Sequence, residues 1–139
     1  MTDKEKFKAF KKGIVDKNEA HYGKEAREKY GDAQVDSANA NIMGLKESEF
    51  DRWSALDREI LSKLEQAVTA GLSPDDEIGR ELTALHLEWL SFTIKNCSPA
   101  QQRGIAQLYV CDERFSAYYD KKLPGCATFL TAAVSHWAQ

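Results

Sequence analysis

Residues 97–125 read CSPAQQRGIAQLYVCDERFSAYYDKKLPG, and this stretch decides the fold that the sequence predicts. Ser98 is a favourable N-cap residue, and Pro99 suits the first helical position, where no backbone N–H is needed. Asp112 marks a second helix start, and Pro124 ends that second helix. We therefore expect two short helices that meet at a tight corner.

Both helices of this corner have an apolar face that is rich in aromatic rings. The apolar residues recur at the i, i+3, i+4 spacing that places side chains on one side of a helix. They are Ile105, Leu108 and Tyr109 in the first helix and Phe115, Tyr118 and Tyr119 in the second. Such a corner is either a packed part of the core or the wall of an aromatic cleft, and its own sequence leaves both interpretations open.

The composition of the whole chain predicts one soluble, all-helical domain. The length of 139 residues is close to the commonest domain size. Hydrophobic residues make up 42% and charged residues 29%, which is typical of a globular protein. Only 3 prolines and 8 glycines interrupt long stretches of helical periodicity, so the expected fold class is all-α.

Charge and apolar patterning restrict the partners that we expect. The net charge of -3 disfavours general nucleic-acid binding, which needs a concentrated basic surface. The first residues do contain a cluster of lysines, which we interpret as a solvated helix face or a frayed arm. These are Lys4, Lys6, Lys8, Lys11 and Lys12. No apolar run approaches the ~18 residues of a membrane span, so no membrane contact is expected.

The N-terminus and the cysteines indicate a cytoplasmic protein. The opening MTDKEKFKAFKKG has no apolar segment of the kind found in signal peptides. Cys97, Cys111 and Cys126 are odd in number and have no metal-ligand spacing. Reduced thiols in the cytoplasm are the simplest interpretation.

The middle and the end of the chain supply the expected core helices. Residues 45–70 predict a long helix with Gly71 after its end, and residues 73–96 predict a central helix that is apolar nearly all round. A last helix begins near Pro124 and contains Phe129 and Trp137. Residues 46–139 are therefore expected to form the stable core.

The first third of the chain is expected to be the least stable. Its first helix is predicted to end near Lys12, because Gly13 interrupts the pattern. Residues 1–45 offer few large apolar side chains, so little burial offsets the conformational entropy lost on ordering them. We expect its backbone amides to be less protected from hydrogen exchange than those of the later helices.

His86 is the one histidine placed on the predicted central helix. It is either a core or cleft-edge histidine satisfied by hydrogen bonding, or a residue that contacts a ligand. No second ligand follows at metal-binding spacing, and no nucleophile elbow, phosphate loop or Cys/His pair is present. The sequence therefore predicts no metal, no cofactor and no catalytic activity.

Several ordered motifs give the chain a family resemblance. The segment LYVCDERFSAYYDKKLPGCATFL, residues 108–130, closely resembles the signature of the TipAS thiopeptide-antibiotic recognition domain. That domain forms the C-terminal half of certain MerR-type transcriptional activators. The resemblance extends to EKFKAF near the start, YGKEAREKYGD at 22–32, ESEFDRW at 47–53, His86 with its aromatic companions, and Asn96-Cys97.

The resemblance implies a globin-like helical fold without haem, in which a cleft accepts large, heterocycle-rich macrocyclic antibiotics. It also implies that residues 1–45 form lid-like helices that become ordered over the drug. The expected partner is a small-molecule antibiotic, and a MerR-type DNA-binding domain would belong to a longer form of the protein. Since no such domain precedes residue 1, the chain is expected to be either a separate drug-sequestering form or the effector part of a regulator.

The expected ligand-binding residues are mostly aromatic. They are Trp53, His86, Trp89, Gly104, Leu108, Tyr109, Phe115 and Tyr119. Gly104 stands where some family members have a cysteine that captures the drug covalently, so reversible binding is expected here. Two alternatives remain: a helical protein-interaction module with exposed aromatic residues, and a haem-binding globin built around His86.

Overall fold

The computed structural model describes residues 2–139, and for Asp3, His21, Glu25, Lys29 and Tyr30 it describes the backbone alone. The described residues form eight α-helices and one π-helical turn, with no β-strand. The helices are α1 (Asp3–Asn18), α2 (Lys24–Tyr30), α3 (Asp32–Met43), α4 (Glu47–Thr69), α5 (Glu77–Ser91), α6 (Pro99–Cys111), α7 (Glu113–Asp120) and α8 (Cys126–Trp137), with the π-helical turn at Glu19–Gly23. The predicted all-α fold class is confirmed.

The chain divides into two units, one of which contains the N-terminal helices. The first unit runs up to Trp53 and includes the turn Phe92–Lys95, and the second comprises Ser54–Ser91 and Asn96–Gln139. Helix α4 begins in the first unit and ends in the second. A single domain with a mobile segment over residues 1–45 stays a prediction.

In the first unit, helix α1 is longer than the sequence predicted. It begins with a capping box in which Thr2 accepts from the Glu5 amide and Glu5 accepts from the Thr2 amide. It then continues through Gly13 to Asn18, so the interruption predicted at Gly13 is wrong. A side chain added at Gly13 would meet open space, and a solvent-facing glycine weakens a helix without breaking it.

The first unit buries few apolar side chains. Among its described residues, the buried hydrophobic ones are Ile42, Leu45 and Phe50. The Phe50 ring packs edge-on against Phe7, with ring centroids 5.3 Å apart, and against Phe10 at 5.6 Å. This small core agrees with the low apolar content of the first third of the sequence.

Helix α4 matches its predicted range closely, whereas α5 is shorter than predicted. Gly71 follows α4 with a φ of 69°, the left-handed conformation that glycine adopts at helix ends. Helix α5 ends at Ser91 rather than near Asn96, because the chain turns over residues 92–96 and Asn96 itself has a φ of 54°. Leu87 is 39% exposed, so the expectation of an all-round apolar helix is wrong on that side.

The corner between α6 and α7 forms as the sequence predicted. Ser98 caps α6 through a capping box with Gln101. Asp112 caps α7 by accepting a hydrogen bond of 3.0 Å from the Arg114 amide. Gly125 has a φ of 100°, and this left-handed turn lets α8 begin at Cys126.

The core of the second unit is organised around α8, which packs against α5, α6 and α7. Small residues on α8 allow this close approach, and Thr131 donates a hydrogen bond of 2.8 Å to the Ala106 carbonyl of α6. The core residues of this unit are Ile60, Leu64, Ala67, Leu82, Ala106, Tyr109, Tyr119, Cys126, Ala127, Phe129, Leu130, Val134 and Ala138. The second unit therefore contains a hydrophobic core of ordinary composition, into which several polar groups are built.

Candidate functional site

His86 lies at the centre of a buried group of polar and aromatic side chains in the second unit. It projects from α5 and is fully buried. Its Nε2 lies 2.9 Å from the hydroxyl oxygen of Tyr109, and its Nδ1 lies 3.0 Å from the Nε2 of Gln102. Both partners come from α6, so the histidine connects the two helices through both ring nitrogens.

The side-chain amide of Gln102 determines which nitrogen of His86 carries the proton. The same NH₂ group donates to the Thr83 carbonyl, at 3.0 Å, and a carbonyl can only accept. Gln102 therefore presents a donor to His86, and Nδ1 must be the unprotonated acceptor. Nε2 then carries the hydrogen and donates to Tyr109.

These hydrogen bonds form one buried chain. The buried hydrogen-bond chain consists of the Thr83 carbonyl, Gln102, His86 and Tyr109. Because each of these buried polar groups has a partner, the chain carries little of the cost of burying such groups. It holds α5 and α6 in one arrangement, and Tyr119 of α7 packs its ring against that of Tyr109.

Aromatic rings surround this chain. The Tyr109 ring lies 4.8 Å from that of Tyr119 and 5.8 Å from that of Phe115, measured between centroids. The His86 ring meets Tyr109 edge-on at 5.5 Å and stacks with Trp89 at 6.3 Å. We call these five residues the aromatic cluster. Contacts of this kind add to the stability that area burial provides.

Burial keeps the titratable groups of the cluster uncharged. Removal from water lowers the pKa of His86 to about 4, so the ring is neutral at pH 7. Burial also raises the pKa of Tyr119, and the neighbouring Tyr109 and the Asp57 carboxylate add to this effect. A neutral histidine held between the Gln102 amide and the Tyr109 hydroxyl offers no charge for electrostatic recognition.

The structure brings some of the expected site residues together and separates others. His86, Trp89, Tyr109, Phe115 and Tyr119 form the aromatic cluster, as described above. Leu108 is half-buried and packs against the core of the same unit.

The other two expected residues are placed differently. Gly104 lies on the exposed side of α6, where an added side chain would meet open space. Trp53 belongs to the first unit, where its ring lies 5.7 Å from Phe50. Neither residue is part of the aromatic cluster.

Gln102 and Thr83 are the members of the buried chain that sequence reasoning missed. A glutamine that is 2% exposed is uncommon, because glutamine is usually a surface residue. Its spacing to Ala106 and Tyr109, at i+4 and i+7, matches the inner face of α6 and could have revealed it. The polar character of Gln102 obscured this signal.

Other kinds of site have less support in the described part of the chain. Over residues 2–139, no group of three or more histidine, cysteine or acidic side chains is arranged to hold a metal ion. None of the described helices combines the length and the apolar character needed to cross a membrane. A shallow recess of about 400 Å³ on α4 contains no aromatic residue and is lined by Ser62, Glu65, Gln66, Thr69 and Ala70. Ligand recognition by aromatic rings therefore has its best candidate in the cluster around His86.

The described residues thus form an all-helical fold with a buried aromatic cluster, an arrangement that resembles the apolar sites of ligand-recognition domains. The family model of the TipAS antibiotic-recognition domain matches residues 22–137. The chain belongs to this family, whose fold is helical and globin-like. No curated protein and no solved structure gave a match. Membership supports antibiotic recognition in general and binding of a small molecule.

Proposed function

We propose that this protein binds large, heterocycle-rich macrocyclic antibiotics of the thiopeptide kind, reversibly and without catalysis. The observation that carries the proposal is the family match over residues 22–137, together with the aromatic cluster inside the matched region. Thiazole-like rings are flat and apolar, and aromatic side chains are suited to stacking with them. The identity of the family supports the ligand class, and the cluster supports the mode of recognition.

The residues proposed to contact the ligand are those of the cluster that reach the surface. Trp89 and Phe115 are half-buried, as is Leu108, so each has one side available for a ligand. His86 and Tyr109 lie behind them and are buried. In this proposal the buried chain fixes the positions of the exposed rings, which lowers the ordering cost of binding.

Tyr119 and Trp53 complete the proposed ligand-binding set, together with Gly104. We propose that ligand binding is accompanied by ordering of residues 1–45, as the family resemblance implies. The contact energy of the ligand would then have to offset the entropy lost by that segment.

Reversible binding follows from the absence of a thiol at position 104. Cys97 and Cys111 each lie seven residues from that position in sequence. Burial raises the pKa of the Cys97 thiol. A raised pKa leaves less of the reactive thiolate at neutral pH. We therefore propose that the drug is retained by contacts alone.

Two physiological roles are compatible with reversible binding. A free-standing protein would lower the concentration of free drug stoichiometrically, which is a form of antibiotic resistance. The effector part of a MerR-type activator would instead report the drug to a DNA-binding domain and induce transcription. Both roles place the protein in the cytoplasm, where the drug's target and the transcription machinery are found.

The alternatives to antibiotic binding make different demands on the cluster. A protein-interaction module would use exposed aromatic residues such as Tyr118, which is 36% exposed. A haem-binding globin would need a nitrogen of His86 for the iron, but both nitrogens are hydrogen-bonded to Gln102 and Tyr109. The haem alternative therefore has less physical support than drug binding.

Isothermal titration calorimetry with a panel of thiopeptides and unrelated macrocycles tests the proposal. We expect saturable 1:1 binding at micromolar concentration or below, with a negative heat-capacity change from the burial of apolar surface. Trp89→Ala should weaken binding at least about tenfold, because an aromatic contact residue at an interface centre contributes more than about 1.4 kcal/mol. Trp137→Phe is the control, since Trp137 is outside the aromatic cluster and its indole N–H donates to the Pro74 carbonyl. Absence of saturable heat with every thiopeptide would overturn the proposal.

Mass spectrometry tests reversibility with a thiopeptide that carries dehydroalanine. A thiolate would add to the terminal carbon of the double bond, forming a C–S bond, while the α-carbon takes up a proton. Wild-type protein should give no stable adduct, whereas Gly104→Cys should give one at residue 104 if this position faces the ligand. Peptide mapping separates this from reaction at the exposed Cys111. A stable wild-type adduct would contradict reversible binding.

A further inference from the structure

Lys11 is a buried lysine in the first unit, although the sequence placed it in a solvated cluster. It is 6% exposed, while Lys4, Lys6, Lys8 and Lys12 are exposed. Its ammonium nitrogen lies 2.6 Å from the Met43 carbonyl oxygen and 2.9 Å from that of Leu45. The expectation of a uniformly solvated lysine face is therefore wrong at this one position.

The Met43 carbonyl lies where a helix leaves such groups without partners, and the Leu45 carbonyl lies in the turn between α3 and α4. Helix α3 ends at Met43, and the last carbonyls of a helix have no amide to bond within it. The same end carries the negative pole of the helix dipole, so a cation is stabilised there. The ammonium also lies 4.5 Å from the centroid of the Phe7 ring, which adds a cation–π contact within α1.

These contacts connect segments that are distant in sequence. The hydrogen bonds of Lys11 span 32 and 34 residues, from the middle of α1 to the junction of α3 and α4. Asn41, near the same end of α3, donates to the Thr93 carbonyl at 2.8 Å. The end of α3 is thus held from two sides by polar side chains.

Polar contacts of this kind matter in the first unit because its apolar core is small. Its buried hydrophobic side chains, among those described, are few, so a charge-assisted hydrogen bond is a large part of what holds α1 in place. Removing the ammonium while keeping an apolar chain of similar length would take the donor from one buried and one partly buried carbonyl. Such groups are expensive to leave without partners.

We propose that Lys11 is a clasp that fixes α1 to the α3–α4 junction, so that the N-terminal helices open when its hydrogen bonds break. The clasp is polar and local, and it can therefore open without disturbing the core of the second unit. In the free protein the clasp gives the first unit a marginally stable closed state, which a ligand that orders residues 1–45 would populate further. The proposal concerns the fold itself and holds whichever ligand the protein binds.

Amide hydrogen exchange followed by mass spectrometry tests the clasp in the full chain. Lys11→Met should speed exchange in α1 and at residues 43–46 by about 10- to 100-fold, because charge-assisted hydrogen bonds contribute more than neutral ones. Exchange in α5–α8 should stay unchanged in the same sample, which shows that the rest of the protein is folded. Lys12→Met is the matched control, since Lys12 is exposed and pairs only weakly with Asp16, at 3.2 Å.

Three outcomes would overturn the proposal. Equal amide exchange of α1 in Lys11→Met and Lys12→Met would show that the buried ammonium does not fix α1 to the α3–α4 junction. Faster exchange throughout α5–α8 in Lys11→Met would show that its role is not local. Wild-type α1 amides that exchange as fast as those of an unfolded peptide would show that no closed state exists.

Discussion

Replacing Tyr109 with phenylalanine removes one oxygen atom from the buried hydrogen-bond chain. The aromatic ring and its contacts with Phe115 and Tyr119 stay in place, so the change isolates the hydroxyl. His86 Nε2–H loses the oxygen 2.9 Å away to which it donates. Water cannot replace the missing oxygen easily, because His86 is fully buried.

The expected cost follows from the number of buried groups left unsatisfied. One such group costs about 1–3 kcal/mol, and here the group is His86 Nε2–H. The alternative tautomer of His86 gives no relief, because it would direct Nδ1–H at the NH₂ group of Gln102. We therefore expect Tyr109→Phe to lower the free energy of unfolding by about 1–3 kcal/mol.

Urea denaturation followed by tryptophan fluorescence measures this loss. A Trp53→Phe background leaves Trp89 and Trp137 as reporters, both of which belong to the second unit. Tyr118→Phe is the matched control, since it removes the same atom from a neighbouring tyrosine whose hydroxyl bonds to Asp57 at an exposed site. The control should lose less than about 1 kcal/mol. A loss in Tyr109→Phe no larger than in Tyr118→Phe would refute the reasoning.

Two further predictions concern pH and the glycines. Because burial lowers the pKa of His86 from 6.5 to about 4, the unfolded state binds a proton that the folded state rejects between these values. The stabilisation by neutral His86 should therefore be complete above pH 6.5, and about 3 kcal/mol of it should be lost as the pH falls through 4. Urea midpoints of wild type and His86→Gln, measured at several pH values, should converge in acid. Parallel curves would exclude a titrating His86. Gly104→Ala should stabilise the protein by about 0.5–1 kcal/mol, since its side chain meets open space within a helix. Gly79→Ala should destabilise the protein by about 1–3 kcal/mol, since the added Cβ would lie 1.8 Å from the Pro74 carbonyl oxygen. Thermal melts that rank the two variants in the opposite order would contradict the open position of Gly104 and the crowded position of Gly79.

The helices of the corner could be predicted because their signals are local. Ser98 and Asp112 cap helices through atoms only two or three residues away, so neighbouring letters contain the whole interaction. The long helix α4 was predictable for a similar reason, because an unbroken apolar stripe specifies its buried face. Periodicity and capping therefore gave the all-α fold class and most helix limits.

The features that were missed depend on partners far along the chain. Lys11 is buried because the Met43 and Leu45 carbonyls at the α3–α4 junction accept its hydrogen bonds. No sequence pattern around residue 11 indicates these partners. Gln102 is buried because Thr83 and His86, which lie 19 and 16 residues away, need a donor. Gly13 was interpreted as a break because the sequence does not reveal that α1 passes it on an exposed face.

The candidate site was predictable in part. Aromatic spacing on α6 and α7 identified Tyr109, Phe115 and Tyr119, which the structure brings together. Periodicity cannot separate a ring that supports the site from a ring that contacts a ligand, because both lie on the inner face of a helix. The structure adds burial to this pattern, since Tyr109 is 3% exposed and Trp89 is half-buried, so Trp89 is the ring proposed to contact the ligand.

Fluorine NMR of protein labelled with 5-fluorotryptophan tests the central claim most directly. The chain has three tryptophans, so each gives one signal that a Trp→Phe variant assigns. On titration with a thiopeptide, the account predicts that the Trp89 signal shifts saturably and returns on dilution, while the Trp137 signal stays in place. A Trp89 signal that does not respond at saturating drug, or a response confined to Trp137, would contradict the account.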